Sequence, residues 1–113
     1  MPYRELTELP MSDMERRRLA RYRDLLQEDH FLATDVRWLF ESTSDVRISA
    51  HERRVDREAY HERIFFRDGW KAHGLGWKLP DPGEEHLSRV GRRNLSAFQK
   101  GWCAAEREAS RAV

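Results

Sequence analysis

The pattern F-x-x-G-W-x-A occurs twice in this chain and restricts its possible folds more than any other feature. The first copy covers residues 66–72 and the second covers residues 98–104. In each copy the phenylalanine and the tryptophan are four residues apart, which places them on one face of a helix. A glycine inside a helix costs about 1 kcal/mol relative to alanine. Two glycines at equivalent places therefore indicate a structural requirement.

The requirement that best fits this pattern is the close approach of two helices. A glycine has no side chain, so a second backbone can come near it, while the following tryptophan ring covers the contact. The segment Pro80-Asp81-Pro82-Gly83 lies between the copies and is a strong turn signal. We predict an antiparallel helical hairpin in which Gly69 and Trp70 lie near Gly101 and Trp102. The alternative is that these four residues serve packing only and have no direct functional role.

Capping residues and apolar spacing predict two helices in the first half of the chain. Ser12 and Glu15 form an S-x-x-E capping box, which predicts a helix from Ser12 to about Asp29. Apolar residues at helical spacing predict a second, short helix from about Ala33 to Glu41.

Similar signals predict the helices of the second half. Ser49 and Glu52 form another capping box, which opens a long helix from about Ala50 to His73. Gly74-Leu75-Gly76 is expected to end this helix. A short helical turn is expected over residues 84–90, and Asn94 is predicted to be the N-cap of a last helix that ends near Arg111.

No stretch of the chain shows the period-two alternation of a half-buried strand. We therefore predict an all-α fold, a small single domain of three to four helices with an antiparallel C-terminal helical hairpin. Residues 1–11 contain two prolines and are expected to form an N-terminal arm. Residues 12–58 are expected to form an N-terminal helical extension, and residues 59–113 to form the hairpin.

Composition excludes several classes of protein. The longest apolar runs are too short for a transmembrane helix or a signal peptide, so we expect a cytoplasmic protein with no membrane partner. The single cysteine, Cys103, cannot form an internal disulfide. Glu58 and His61 have the E-x-x-H spacing of di-iron sites, but no second copy exists, so no metal is expected. Nucleotide-binding and nucleophile-elbow motifs are absent, so we expect neither an enzyme nor a cofactor.

The glycine-tryptophan segments, with their proline-containing linker, resemble the ribosome modulation factor family. The resemblance covers about residues 60–110 and rests on Gly69-Trp70-Lys71-Ala72, on Gly76 and on the segment from Phe98 to Ala105. It implies a small two-helix protein that binds 16S ribosomal RNA and favours inactive, paired ribosomes during slow growth. The linker is longer here than in short members, Leu79-Pro80-Asp81-Pro82 replaces their Cys-Pro-aromatic element, and this chain adds an N-terminal half.

The charge distribution is the test of an RNA-binding role. The chain has 36% charged residues and a net charge of only +1. Residues 59–113 contain ten basic and seven acidic side chains, whereas residues 1–58 contain 11 basic and 13 acidic ones. The half that resembles the family is therefore the positive half, as phosphate binding requires. The predicted RNA-binding residues, with Trp77 as the candidate for base stacking, are Arg67, Lys71, Trp77, Lys78, Arg89, Arg92, Arg93 and Lys100.

The predicted hairpin brings part of this set into one patch. Arg89, Arg92 and Arg93 flank the start of the last helix, while Trp77 and Lys78 follow the end of the long helix. In an antiparallel hairpin these two ends meet, which would form a compact basic patch.

A protein-binding adaptor or inhibitor is the alternative function. The near-zero net charge and the cluster Trp38-Leu39-Phe40 motivate it, because exposed aromatic residues and arginine are enriched at interface hot spots. The small size of the chain also makes a homodimer an open possibility.

Overall fold

The structure is a computed structural model that describes residues 11–28, 32–42, 57–79 and 84–111. Its helices are α1 (Asp13–Glu28), α2 (Ala33–Glu41), α3 (Arg57–Gly74) and α4 (Arg89–Arg111), with a 3₁₀ turn at Glu84–His86. No strand occurs in the described ranges, so the prediction of a small all-α fold is confirmed. The arm up to residue 10, the capping box of Ser49 and Glu52 and the turn at residues 80–83 lie outside the described residues.

Two helix ends follow the sequence signals. At the start of α1, the backbone N–H of Glu15 donates to Ser12 Oγ at 3.0 Å, which satisfies a donor that the helix leaves unpaired. After α3, Gly76 adopts a φ of +78°. The N–H of Gly76 donates to the carbonyl of His73, and that of Trp77 donates to the carbonyl of Ala72. These two bonds form a Schellman motif, which ends the helix as predicted.

Helices α3 and α4 pack closely through the two glycines of the repeat. A Cβ atom added to Gly69 would lie 1.9 Å from the carbonyl oxygen of Phe98, and one added to Gly101 would lie 1.9 Å from that of Phe66. The two contacts are reciprocal, since each glycine faces the first residue of the other copy. No side chain fits at either position, so the predicted role of both glycines in helix packing is confirmed.

The relative direction of α3 and α4 differs from the predicted antiparallel one. Glu62, near the start of α3, is bonded to Arg93, near the start of α4. His73, near the end of α3, contacts Glu106, near the end of α4, at 2.6 Å. The N-terminal halves of the two helices therefore lie together, and so do their C-terminal halves. The helices cross while running in the same general direction.

The connection between α3 and α4 is long enough to permit this direction. At up to about 3.3 Å per residue, residues 75–88 can return along the whole of α3, whose rise is only about 1.5 Å per residue. A turn signal in the sequence shows that the chain changes direction but does not show how far it travels before the next helix.

The N-terminal helices and the C-terminal pair share one hydrophobic core. Tyr22 of α1 packs against Phe98 of α4, with ring centroids 5.0 Å apart. Phe40 of α2 packs against both Phe65 of α3 and Phe98, at 6.0 and 5.8 Å. Helices α1 and α2 are therefore part of the folded core together with α3 and α4. The other buried members of this cluster are Leu25, Val36, Leu39, Ala72, Leu87, Leu95 and Ala97.

Asn94 does not cap α4, which is a correction to the sequence analysis. Helix α4 begins at Arg89, and Ser88 is the residue whose Oγ accepts a bond from the backbone N–H of Gly91. Asn94 is only 1% exposed, and its Nδ2 donates to the carbonyl of Phe40 at 2.6 Å. Because Phe40 lies in the last turn of α2, Asn94 satisfies a carbonyl at the C-terminus of another helix.

Candidate nucleic-acid interface

The predicted basic patch is not formed as one cluster, because Trp77 contacts α4 beyond its midpoint, whereas Arg93 is paired near the start of that helix. The carbonyl of Trp77 accepts a bond from Trp102 Nε1 at 2.9 Å, in the second half of α4. Arg93 pairs with Glu62 at the other end of the pair. Trp77 and Lys78 are therefore separated from the arginines at the start of α4.

Trp77 contributes to the core and does not project as a stacking platform. Its ring is half-buried, packs against the hydrophobic core and lies 5.9 Å from the ring of Tyr22. The Tyr22 hydroxyl donates to the carbonyl of Lys78 at 2.9 Å, and burial raises the pKa of this hydroxyl. These contacts hold the segment after α3 against α1 and leave the Lys78 side chain exposed.

Arg67 is buried and is not available to phosphate, which corrects its assignment to the RNA-binding set. Its guanidinium is 2% exposed and binds the Glu15 carboxylate through two nitrogens, with Nε at 3.1 Å from Oε2. The pair joins α3 to the first turn of α1. Arg67 is therefore part of the interior that holds the N-terminal helices in place.

Two more buried charged side chains complete the cluster around this pair. Arg18 is 3% exposed, donates to the carbonyl of Ser42 at 2.8 Å and lies over the ring of Phe65. Asp68 is 2% exposed, and its Oδ1 has no hydrogen-bond partner among the described residues. Burial first, and then the neighbouring Glu15, raise the pKa of Asp68 well above its ordinary 3.8. We call Glu15, Arg18, Arg67 and Asp68 the buried charge cluster.

The exposed side of α4 carries the remaining predicted cations in one row. Successive residues of a helix are about 100° apart, so Arg89, Arg92 and Lys100 fall on one face. Arg107 and Arg111 fall on the same face, and all five side chains are exposed. Together they occupy about 100° of the helix circumference and extend over about 33 Å of its length. We call these five residues the basic stripe.

No acidic side chain of α4 lies on the basic stripe. Glu106 and Glu108 are on its two flanks, and Glu106 is held toward α3 by the contact with His73. Among the described residues, no acidic group contacts Lys100, Arg107 or Arg111. Arg92 uses its Nε to donate to the carbonyl of Glu84 at 3.3 Å, which leaves its charge uncompensated. Arg92, Lys100, Arg107 and Arg111 are therefore exposed cations with no acidic side chain of α4 between them.

Three other predicted cations are not part of the basic stripe. Lys78 is exposed in the segment after α3. Arg93 lies on the same face of α4 as Arg111, five full turns away, but it is half-buried in its ion pair with Glu62 of α3. Lys71 is half-buried on α3, one turn before the end of that helix.

Sequence reasoning missed Arg107 and Arg111 because it placed the N-cap of α4 six residues late, at Asn94 instead of Ser88. With Asn94 as the N-cap, Arg89 and Arg92 fall outside the helix and share no face with Lys100. The signal that identifies the stripe is the helical spacing of basic residues from position 89 to 111. Ser88 three residues before Gly91 is a usable N-cap signal, since serine favours that position.

The cluster proposed for protein docking is directed inward. Leu39 and Phe40 are 3% and 2% exposed, and Trp38 is half-buried against the core. In the described ranges the exposed large apolar side chains are Leu32 and Leu75. The aromatic residues of α2 therefore cover α3 and α4.

Comparisons of the chain with protein-family models, with curated proteins and with solved structures find no match. In the described part of the chain, no helix is both long and apolar enough to cross a membrane.

Proposed function

We propose that this protein binds ribosomal RNA through the basic stripe of α4 and acts as a ribosome-associated factor of the hibernation kind. The observation that carries the RNA-binding part is the row of five exposed basic side chains with no acidic side chain among them. Phosphate contacts of this kind supply most of the affinity in sequence-independent nucleic-acid binding. The resemblance of the glycine-tryptophan segments to the ribosome modulation factor family supports the ribosome as the source of the RNA.

The mechanism of the proposed function is binding alone. The glycine contact packs α4 closely against α3, and the apolar side of α4 packs into the shared core. The basic side is thereby presented to a partner without rearrangement of the backbone, and a preformed surface avoids the entropic cost of ordering on binding.

Charge reversal on the stripe tests this proposal. The variant carries Lys100→Glu and Arg107→Glu, and the matched control carries Arg17→Glu and Arg63→Glu. The control makes the same change in net charge at exposed positions on α1 and α3. We expect the stripe variant to lose co-sedimentation with ribosomes and the control to keep it, with the helical circular dichroism signal unchanged in both. Equal co-sedimentation of the stripe variant and the wild type would overturn the proposal.

A pull-down from lysate with and without ribonuclease separates this function from the adaptor. If RNA is the partner, ribonuclease should release the captured material, and raising the salt concentration should weaken capture steeply. A protein captured equally well after ribonuclease treatment, with little effect of salt, would support the adaptor and contradict RNA binding.

A further inference from the structure

The shape of the basic stripe restricts the kind of RNA that it fits. The stripe lies on one helix, so its cations form a nearly straight row of about 33 Å. A single strand of RNA is flexible and must lose conformational freedom to follow a straight row. A duplex already presents its phosphates in a stiff and regular array, so it meets the row without that cost.

Proteins that bind single strands add a second element that the stripe lacks. They combine a positive groove with aromatic side chains on which the unstacked bases lie. None of the stripe residues is aromatic, and the tryptophan, tyrosine and phenylalanine side chains of residues 11–28, 32–42, 61–79 and 84–111 are buried or half-buried. Trp77, the residue expected to stack on a base, packs against the core instead.

The residues between the cations also suit a rigid partner. Ser96, Cys103 and Ser110 lie on the same face as the basic stripe and have short side chains. The arginines and the lysine therefore project beyond their neighbours, and a stiff surface can contact them together. Arginine in addition has a planar fork that binds two phosphate oxygens at once.

We propose that the basic stripe binds double-stranded RNA, across the phosphates of an A-form helix, in preference to single-stranded RNA. This inference rests on the proposed RNA-binding function and states which form of RNA the site takes. Duplex RNA is recognised mainly by its shape and by phosphate and 2′-hydroxyl contacts across the wide minor groove, which needs no exposed aromatic residue.

Counterion release gives the size of the expected preference. Each phosphate contact contributes about −0.9 to the slope of log K against log salt for a duplex and about −0.7 for a single strand. Five contacts would then differ by about one in the slope. For two RNAs that bind equally at 1 M salt, this difference makes the duplex bind about tenfold tighter near 0.1 M salt.

The experiment compares two RNAs of the same sequence, one single-stranded and one annealed to its complement. A length of about 16 base pairs matches the span of known double-stranded-RNA-binding domains. Affinity is measured by fluorescence anisotropy with the full chain.

Cys103 is the only cysteine and is exposed on the same face as the stripe. Its rate of alkylation by a maleimide therefore reports whether bound RNA covers that surface.

Support for the inference requires about tenfold tighter binding of the duplex and slower alkylation of Cys103 in its presence. The variant with Lys100→Glu and Arg107→Glu should lose the duplex preference, whereas the Arg17→Glu and Arg63→Glu control should keep it.

Equal or tighter binding of the single strand would overturn the inference and leave the proposed RNA-binding function intact. Failure of both RNAs to bind would overturn the proposed function as well. Duplex binding without protection of Cys103 would place the RNA elsewhere and overturn the inference.

Discussion

Asp68 is the residue whose protonation is most strongly altered by its place in the fold. It lies in the buried charge cluster, where burial and the Glu15 carboxylate both raise its pKa. Protonated Asp68 can donate a hydrogen bond to the neighbouring Glu15. The folded state therefore binds a proton that the unfolded state releases near pH 3.8.

This difference predicts how stability depends on pH. A group whose pKa is raised by folding contributes fully below its unfolded pKa, and its contribution is lost as pH rises toward its folded pKa. Asp68→Asn replaces the neutral carboxyl by a neutral amide of similar shape and removes this loss. We expect the free energy of unfolding of the variant, relative to the wild type, to rise from pH 4 upward by as much as about 1.4 kcal/mol per pH unit. Urea unfolding across this range measures it, and a difference that does not change with pH would contradict it.

At the scale of helices, the close crossing of α3 and α4 depends on Gly69 and Gly101, because neither residue has a Cβ atom. The reciprocal contacts of Gly69 and Gly101 are with backbone carbonyls, which cannot move aside as a flexible side chain can. A methyl group at either position forces the two helices apart along their whole contact. The remaining glycine of α3, Gly74, has no atom within 4 Å of where a Cβ would be.

Alanine substitutions at these glycines should therefore have opposite effects. We expect Gly69→Ala to lower the free energy of unfolding by about 3 kcal/mol or more, because the backbone has no space for the methyl group. Gly74→Ala is the matched control, and we expect it to raise stability by up to about 1 kcal/mol through helix propensity. Thermal and urea unfolding of both variants measure these effects. A Gly69→Ala protein as stable as the wild type would contradict the packing role of the repeat.

How far the sequence predicts the helices depends on where the stabilising partner is. The repeat, the Ser12 cap and the Gly76 stop were identified correctly because each rests on residues close together in the chain. Asn94 was misassigned because its partner, the carbonyl of Phe40, is 54 residues away. Asparagine favours a helix N-terminus when only local sequence is considered, and nothing local indicates that α2 needs a bond there.

At the scale of the whole molecule, the buried charge cluster joins the N-terminal helices to the C-terminal pair. Glu15 of α1 and Arg67 of α3 are 52 residues apart, and each side chain is 2% exposed. Removal of one member leaves the other charged and buried without its counter-ion, which typically costs 3–5 kcal/mol. Replacement of both members by apolar residues of similar size costs far less.

A double-mutant cycle tests this coupling between the two halves. We expect Arg67→Met alone to lower the free energy of unfolding by about 3–5 kcal/mol and Glu15→Leu alone to lower it substantially. The combined variant should be more stable than the Arg67→Met variant. Urea unfolding of the four proteins provides the coupling energy, and strictly additive losses would show that the pair does not couple the halves.

The sequence by itself determined the helical class, the start of α1, both bounds of α2, the end of α3 and the need for two helices to touch at Gly69 and Gly101. These features arise from periodicity, capping and the absence of a side chain, which are properties of neighbouring residues. The tertiary structure decided the direction of the α3–α4 crossing, the burial of Arg67 and the bond from Asn94 to the end of α2. Each of these depends on contacts with residues that are distant in the chain. The spacing of neighbouring residues does not show which distant residue supplies the contact.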